Sequence, residues 1–361
     1  MTPAPKDVRQ NYVKPRDPLE LMLAAIWEET LGRSPIGVAE PFDAEDGDAA
    51  RLATMLARVE QACGRTVPES ARSPELTVAS LAVAMKALAR SPESNRNPAY
   101  FVRNRPRAGL TTRPPFFFLH GDIGGGGFYC VALAGHLGKD QPFYALAPHG
   151  VDGSPLPPTI QAMAAAQREI LRGIRPTGPY RIGGHCNGAL IAYEVARQLV
   201  AEGEHVERLI LVAPLIAPAL PRRFTLPFLS SARWGAYYLK RLRALARAPV
   251  RDQLHYVGRK LRGSSMPPPV DMPAVPPWDD GLFDAYWFRM RAYRPGSYLE
   301  PLTILWPIGE PERLVKTSTR VWRHVAPAAE IREVPGDHVT CITTRVGPLA
   351  AAMRACLEKP E

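Results

Sequence analysis

The sequence predicts an all-α bundle followed by an α/β fold built on a mostly parallel sheet. Three observations carry this. Over residues 17–90, apolar residues recur at helical spacing with no strand signal. From Pro115 onward, short continuous apolar runs alternate with helical stretches, the pattern of a sheet covered on both faces. Between them, residues 91–114 are rich in proline, arginine and small polar residues without periodicity, and read as a linker.

Residues 1–16, rich in lysine, arginine and proline, read as a leader. A first helix is expected from Asp17 to Gly32, with Leu19, Met22, Leu23, Ile26, Trp27 and Leu31 on one face. A polar, acidic turn from Asp43 to Asp48 precedes a second helix, Ala49 to Gly64, and a third runs from Thr77 to Ala89. Three or four short helices of this kind make a small bundle. Inside the linker, Tyr100, Phe101 and Val102 form an apolar spot suited to docking on a neighbouring surface.

Strands are expected at Phe116–Leu119, Phe143–Ala147, Tyr180–Gly183, Leu209–Val212, Leu302–Trp306 and Ile331–Val334. Helices are expected at Ile160–Gly173, Ala189–Glu202 and Val346–Glu358. The long insertion between the strands at 209 and 302 is expected to cover the C-terminal edge of the sheet as a lid, over about 214–295.

Composition narrows the function classes. Among 361 residues there are 45 Lys and Arg against 35 Asp and Glu, a formal charge of +10. The excess is local: residues 221–265 hold eleven Lys and Arg against one acid, Asp252, and the rest is balanced. That points to an anionic ligand or an acidic partner at the insertion rather than to nucleic acid; a solvated helix face is the competing reading. Five scattered cysteines without a CxxC pair fit a reducing cytoplasm and argue against a metal site. The first residues show no signal-peptide pattern, and no apolar run is long enough to span a bilayer.

The chemistry centres on Gly184-His185-Cys186-Asn187-Gly188, a G-x-C-x-G sequence after a strand and before a helix. A nucleophile on such a strained strand-to-helix turn needs flanking glycines, because neighbouring backbone passes where a Cβ would sit. The helix N-terminus then faces a developing oxyanion. A thiol there, beside a histidine, is suited to nucleophilic attack. His338 follows the last strand, where such a fold keeps its general base. His120 and His185 read as supports of the pocket. The acid is expected at Glu312, three residues after Gly309, with Glu310 next in order; a Cys–His dyad without an orienting acid is the remaining option. The oxyanion donors are expected to be the backbone amides of Asn187 and of Asp122, in the glycine-rich loop after the first strand.

With these residues in hand, a resemblance can be stated. Residues 115–361, through PFFFLHGDIGGGGFY, YRIGGHCNGALIAYEVARQL, RLILVAP, AYRPGSYLEPLTILW and EVPGDHVT, resemble the thioesterase domain that terminates non-ribosomal peptide synthetases. Residues 17–90, through DPLELMLAAIWEETLG, IGVAEPF and ARLATMLARVEQ, resemble the peptidyl carrier domain that precedes it. The resemblance implies an α/β-hydrolase thioesterase with a helical lid insertion, preceded by a small four-helix carrier domain, and an excised carrier–thioesterase pair. Its native partners would be a peptidyl thioester, upstream synthetase domains and a phosphopantetheinyl transferase.

Two departures stand out. Carrier domains bear 4′-phosphopantetheine on a serine, and Ala49 occupies that slot, so the chain as written cannot be loaded. Either the carrier is degenerate or Ala49 replaces the native serine; the intact surroundings favour replacement. The second departure is cysteine for serine at 186, with Ala213 where the family usually has aspartate. Cysteine variants are associated with release as β-lactams or β-lactones, so the resemblance implies release by cyclisation. The basic lid, through Arg241, Arg243 and Arg247, would contact an anionic group of the peptide. Hydrolytic or proofreading release is one alternative, and a non-catalytic acyl-binding module is another.

Overall fold

The structure, a computed structural model, describes residues 12–42, 49–73, 75–89, 99–103, 113–124, 126–216 and 281–359. The chain divides into two compact units: Met1–Ile216 with Ala292–Glu361, and Ala217–Arg291.

In the first unit, helices α1 (Pro18–Leu31), α2 (Ala49–Cys63) and α3 (Val78–Ala89), with a 3-10 turn at Glu69–Ala71, form the N-terminal bundle. Asp17 caps α1: its carboxylate accepts from the amides of Leu19 and Glu20, both at 3.0 Å, and Pro18 occupies the first turn, where no amide is needed. Lys86 of α3 reaches the same carboxylate at 2.5 Å. Leu23, Trp27, Met55, Val59, Leu81 and Met85 are fully buried between the helices. Each such side chain contributes roughly 1.5–3 kcal/mol of burial.

The α/β part carries a seven-stranded sheet in the order β1-β3-β2-β4-β5-β6-β7. The strands are β1 (Ala99–Arg103), β2 (Phe116–Leu119), β3 (Phe143–Leu146), β4 (Tyr180–His185), β5 (Val206–Val212), β6 (Leu302–Pro307) and β7 (Glu330–Val334). All pair in parallel except β1, which lies antiparallel on β3. Helices α4 (Tyr129–Leu137), α5 (Ile160–Ile174), α6 (Asn187–Ala201), α8 (Glu312–Val325) and α9 (Val346–Leu357) accompany the sheet. Phe116, Phe117, Phe118 and Leu119 are all buried, as expected of a strand covered on both faces. From β2 the chain moves outward to β3 and then returns across β2 to β4, so the topological switch lies between β2 and β4.

One expectation is corrected. The linker over 91–114 is not irregular throughout, because Ala99–Arg103 adds an edge strand: its β-prone Tyr100, Phe101 and Val102 find the open edge of β3. Two helices escaped the sequence pattern, α4 and α8. The lid expected over 214–295 falls largely on residues 217–280, outside the described residues, as do Arg241, Arg243 and Arg247. Of the second unit, helix α7 (Gly281–Ala292) is described, with Arg291 stacked 5.9 Å over Trp287.

Both ends of that insertion are fixed within the first unit. Trp322 of α8 donates to the Pro214 carbonyl at 2.8 Å, and the Ile216 amide donates to Ser318 at 3.0 Å. On the return side, Tyr293 donates to buried Glu194 at 2.8 Å, and Tyr193 donates to the Gly296 carbonyl at 2.7 Å. Among the described residues no helix is long and apolar enough to cross a membrane.

Candidate active site

The residues singled out by sequence gather at the C-terminal ends of the parallel strands. Cys186 follows β4, Asp122 follows β2, Glu310 follows β6 and His338 follows β7. Cys186 has φ 55° and ψ −122°, a left-handed conformation that costs a non-glycine residue strain. Its amide donates to the Val212 carbonyl at 3.1 Å, which holds the turn against β5. The flanking glycines are required by contact. A Cβ on Gly184 would stand 2.5 Å from the Gly188 carbonyl oxygen, and one on Gly188 would strike the Leu119 carbonyl. Gly121 is pressed as closely, since a Cβ there would lie 2.8 Å from Cys186 Cβ. The glycine-rich loop therefore runs directly beside Cys186.

Asn187 opens α6. Its side-chain amide donates to the Gly121 carbonyl at 2.9 Å, tying the helix start to the loop. Asp122 lies in the same loop and accepts from the Gly127 amide at 3.1 Å, closing the turn on itself. The helix N-terminus and the loop thus flank the sulfur from two sides, where backbone N–H groups favour negative charge.

His338 hydrogen-bonds to Cys186 on one side, and its Nδ1 lies 2.5 Å from Glu310 Oε1 on the other. Burial pulls the imidazole's pKa down, but Cys186 and Glu310 outweigh it and raise it to about 10. The loop is preset for this. The Asp337 carboxylate accepts from the Val339 and Thr340 amides at 3.0 and 2.8 Å, and Gly336 sits at φ 104°.

The first choice of acid is corrected here. Glu312 opens α8 after Pro311, with its side chain 80% exposed and paired to Lys316 at 2.5 Å, away from His338. Glu310, next in order, has a side chain only 4% exposed and meets the histidine. The cause is Gly309. Its amide donates to the Gly336 carbonyl at 2.8 Å, and a Cβ on it would crowd Asp337 at 2.9 Å. Two loops meet at that glycine, so the residue that follows it points at His338. Ala213, buried after β5 with φ 46°, offers no carboxylate.

His185 and His120 form a neutral layer beneath the site. Burial, then the neighbouring His338, keep the His185 pKa well below the usual value. Burial alone takes that of His120 down to about 3. The His185 ring stands 4.7 Å from that of His338, and its Nε2 donates to the His338 carbonyl at 3.1 Å. Tyr129 packs edge-on against both lower histidines. Sequence placed them as pocket supports without indicating the hydrogen bond.

At the bundle, Ala49 begins α2 and is exposed. A methyl group offers no oxygen for a phosphodiester, so the position does not fit 4′-phosphopantetheine. Among the described residues no group of His, Cys, Asp or Glu is arranged to hold a metal.

A cysteine on a glycine-flanked elbow, backed by a histidine and a buried carboxylate at the ends of parallel strands, is an acyl-transfer arrangement. Residues 114–220 match the thioesterase domain family. That segment, which carries β2 to β5 and the Cys186 elbow, is thus similar to thioesterase domains, and the curated relatives include a dimodular nonribosomal peptide synthase of Bacillus subtilis (strain 168). The chain is 32% identical over 209 residues to indigoidine synthase of Dickeya dadantii (strain 3937), a match covering 57% of this chain and 13% of that protein. Pyochelin synthetase PchF of Pseudomonas aeruginosa is 26% identical over 420 residues, covering 98% of this chain and 22% of PchF. Among solved structures, the four-domain synthetase holo-AB3403 matches with a TM-score of 0.54 and 21% identity, over 99% of this chain and 27% of that one. The last likeness extends the shared fold to the N-terminal helices. The chain spans only 13% and 5% of the first two curated relatives.

Proposed function

We propose that this chain releases the finished acyl chain of a peptide synthetase, taking a peptidyl thioester onto Cys186 and discharging it by intramolecular cyclisation. The observation that carries the reading is the continuous contact from Cys186 through His338 to buried Glu310.

His338 Nε2 takes the thiol proton before the sulfur attacks the substrate carbonyl, and its raised pKa keeps that proton on the ring until the leaving group needs it. The Asn187 and Asp122 amides stabilise the oxyanion. Collapse expels the donor thiol, protonated by His338, and leaves the acyl group on Cys186. An internal amine or hydroxyl of the peptide then attacks this thioester. His338 accepts its proton and returns it to the Cys186 sulfur. Glu310 holds the ring with Nδ1–H inward, so Nε2 stays aimed at sulfur.

Because the acyl-enzyme is a thioester rather than an oxoester, more driving force remains for closing a strained ring, which supports a β-lactam or β-lactone product. Attack by water in place of the internal nucleophile gives the hydrolytic alternative. Upstream synthetase domains would supply the peptidyl thioester, and a phosphopantetheinyl transferase would serve a form with serine at 49.

The test is intact-protein mass spectrometry after incubation with aminoacyl and peptidyl thioesters, with Cys186→Ala alongside. An acyl adduct on the parent that is missing from the variant supports the reading. A released product one water lighter than the acid marks cyclisation, and the acid itself marks hydrolysis. An adduct on Cys186→Ala, or none on the parent across the panel, would sink the assignment.

A further inference from the structure

We infer that the N-terminal helical bundle is a structural brace of the acyl-transfer site, holding the oxyanion loop in place through Phe128. This rests on the proposed acyl transfer at Cys186.

Phe128 belongs to the α/β part by sequence, but it is 4% exposed and packs in the bundle's core with Leu19, Trp27, Met55 and Val59. It directly ends the loop that begins at His120. The Asp122 carboxylate closes that loop onto the Gly127 amide, one residue before Phe128. Tyr129, the next residue, faces the opposite way and packs against His120 and His185 beneath the site. Two adjacent aromatic side chains therefore clamp the C-terminal end of the loop, one into the bundle and one under the active site. The loop's other face rests on the nucleophile turn, through Gly121 beside Cys186 and the Asn187 bond to the Gly121 carbonyl.

The rest of the junction is close at one point and open beside it. Helices α2 and α4 approach at Gly64, where an added Cβ would meet Val131 Cγ2 at 3.2 Å. Beside them, Ile26, Arg58, Ala62, Val131, Gly135 and His136 help to line a cavity of about 400 Å³. Phe128 is the side chain that carries the end of the loop into the bundle core. The bundle uses the C-terminal half of α2 for this contact, while exposed Ala49 stands at the opposite end of the helix. A bundle without an attachment hydroxyl keeps a role as a brace.

Loop and nucleophile can be separated by chemistry. Alkylation of the Cys186 sulfur by iodoacetamide is a direct displacement that expels iodide and develops no oxyanion, whereas thioester attack develops one. In the full chain, Phe128→Ala should slow acylation of Cys186 by a soluble thioester about tenfold or more, a fraction of what loss of an oxyanion donor costs. Its alkylation rate should match the parent's, and Phe128→Leu, which refills the bundle core, should restore acylation. Ala62→Glu, a change on the bundle side of the cavity, should lower acylation in the same selective way. Parental acylation by Phe128→Ala would overturn the brace alone. So would an equal fall in both rates for Phe128→Ala and Ala62→Glu, which signals general disruption. A parent that is alkylated but never acylated would overturn the acyl-transfer reading itself, and the brace with it.

Discussion

Replacing Glu310 by glutamine tests which acid serves His338. The native carboxylate lies 2.5 Å from Nδ1 with its side chain 4% exposed, so the bond is charge-assisted and poorly screened. Such bonds are worth about 1.5–3 kcal/mol, which corresponds to roughly 10- to 150-fold in rate. A glutamine amide can also donate to Nδ1 and so leave the proton on Nε2, where no lone pair remains to take the thiol proton. In serine triads that tautomer error costs about 10⁴-fold; a thiol ionises more readily, so the smaller figure is expected here. The assay is kcat/KM for a peptidyl thioester, run beside Glu312→Gln, whose carboxylate faces solvent and Lys316. Equal activity of Glu310→Gln and the parent, or an equal loss in Glu312→Gln, would refute the assignment. The same pair gives a pH signature. The His338 pKa is raised from 6.5 to about 10, so its stabilising contribution is complete below pH 6.5 and is lost as pH rises through 10. Without the Glu310 charge the folded pKa falls, and urea midpoints should begin to drop at lower pH than in the parent.

Two further outcomes follow from packing. Brief iodoacetamide treatment near neutral pH should label Cys186 and spare the others. Burial raises the thiols of Cys63 and Cys341 to about 12 and also raises those of Cys130 and Cys356, while Cys186 is partly exposed; peptide mapping that finds another cysteine labelled first would contradict this. Gly188→Ala should destabilise by about 3 kcal/mol, because its Cβ would strike the Leu119 carbonyl, a backbone atom that cannot swing away. An unchanged urea midpoint would show that the elbow has more room than the structure gives it.

The parallel strands were legible because strands buried on both faces read as unbroken apolar runs: FFFL at 116 and LILV at 209 allow little else. The elbow was legible because Gly184 answers to a local contact with Gly188, although Gly188 itself answers to the distant Leu119 carbonyl. Helix α8 was not. Its sequence, ERLVKTSTRVWRHV, is rich in β-branched residues and buries only Ser318, Trp322 and Val325. Helix α4 is nine residues, too short for a clear period, and its buried Cys130, Leu133, Ala134 and Leu137 share a core with Leu349, Ala350 and Met353 of distant α9. The acid was misplaced by two positions because spacing from Gly309 was counted along one loop. What decides it is the meeting of two loops, Gly309 against Gly336 and Asp337, which are far apart in sequence.

Strand β1 has a mechanical consequence. Had the whole of 91–114 been free chain, its 24 residues could have paid out to about 80 Å. Because Ala99–Arg103 is stitched to β3, the stretch joining the end of α3 at Ala89 to the sheet is only residues 90–98. Nine residues span at most about 32 Å. The bundle is therefore on a short leash: even with Phe128 drawn out of its core, it would stay within about 32 Å of the sheet edge. Lengthening the leash without unzipping β1 would widen that reach in proportion to the residues added.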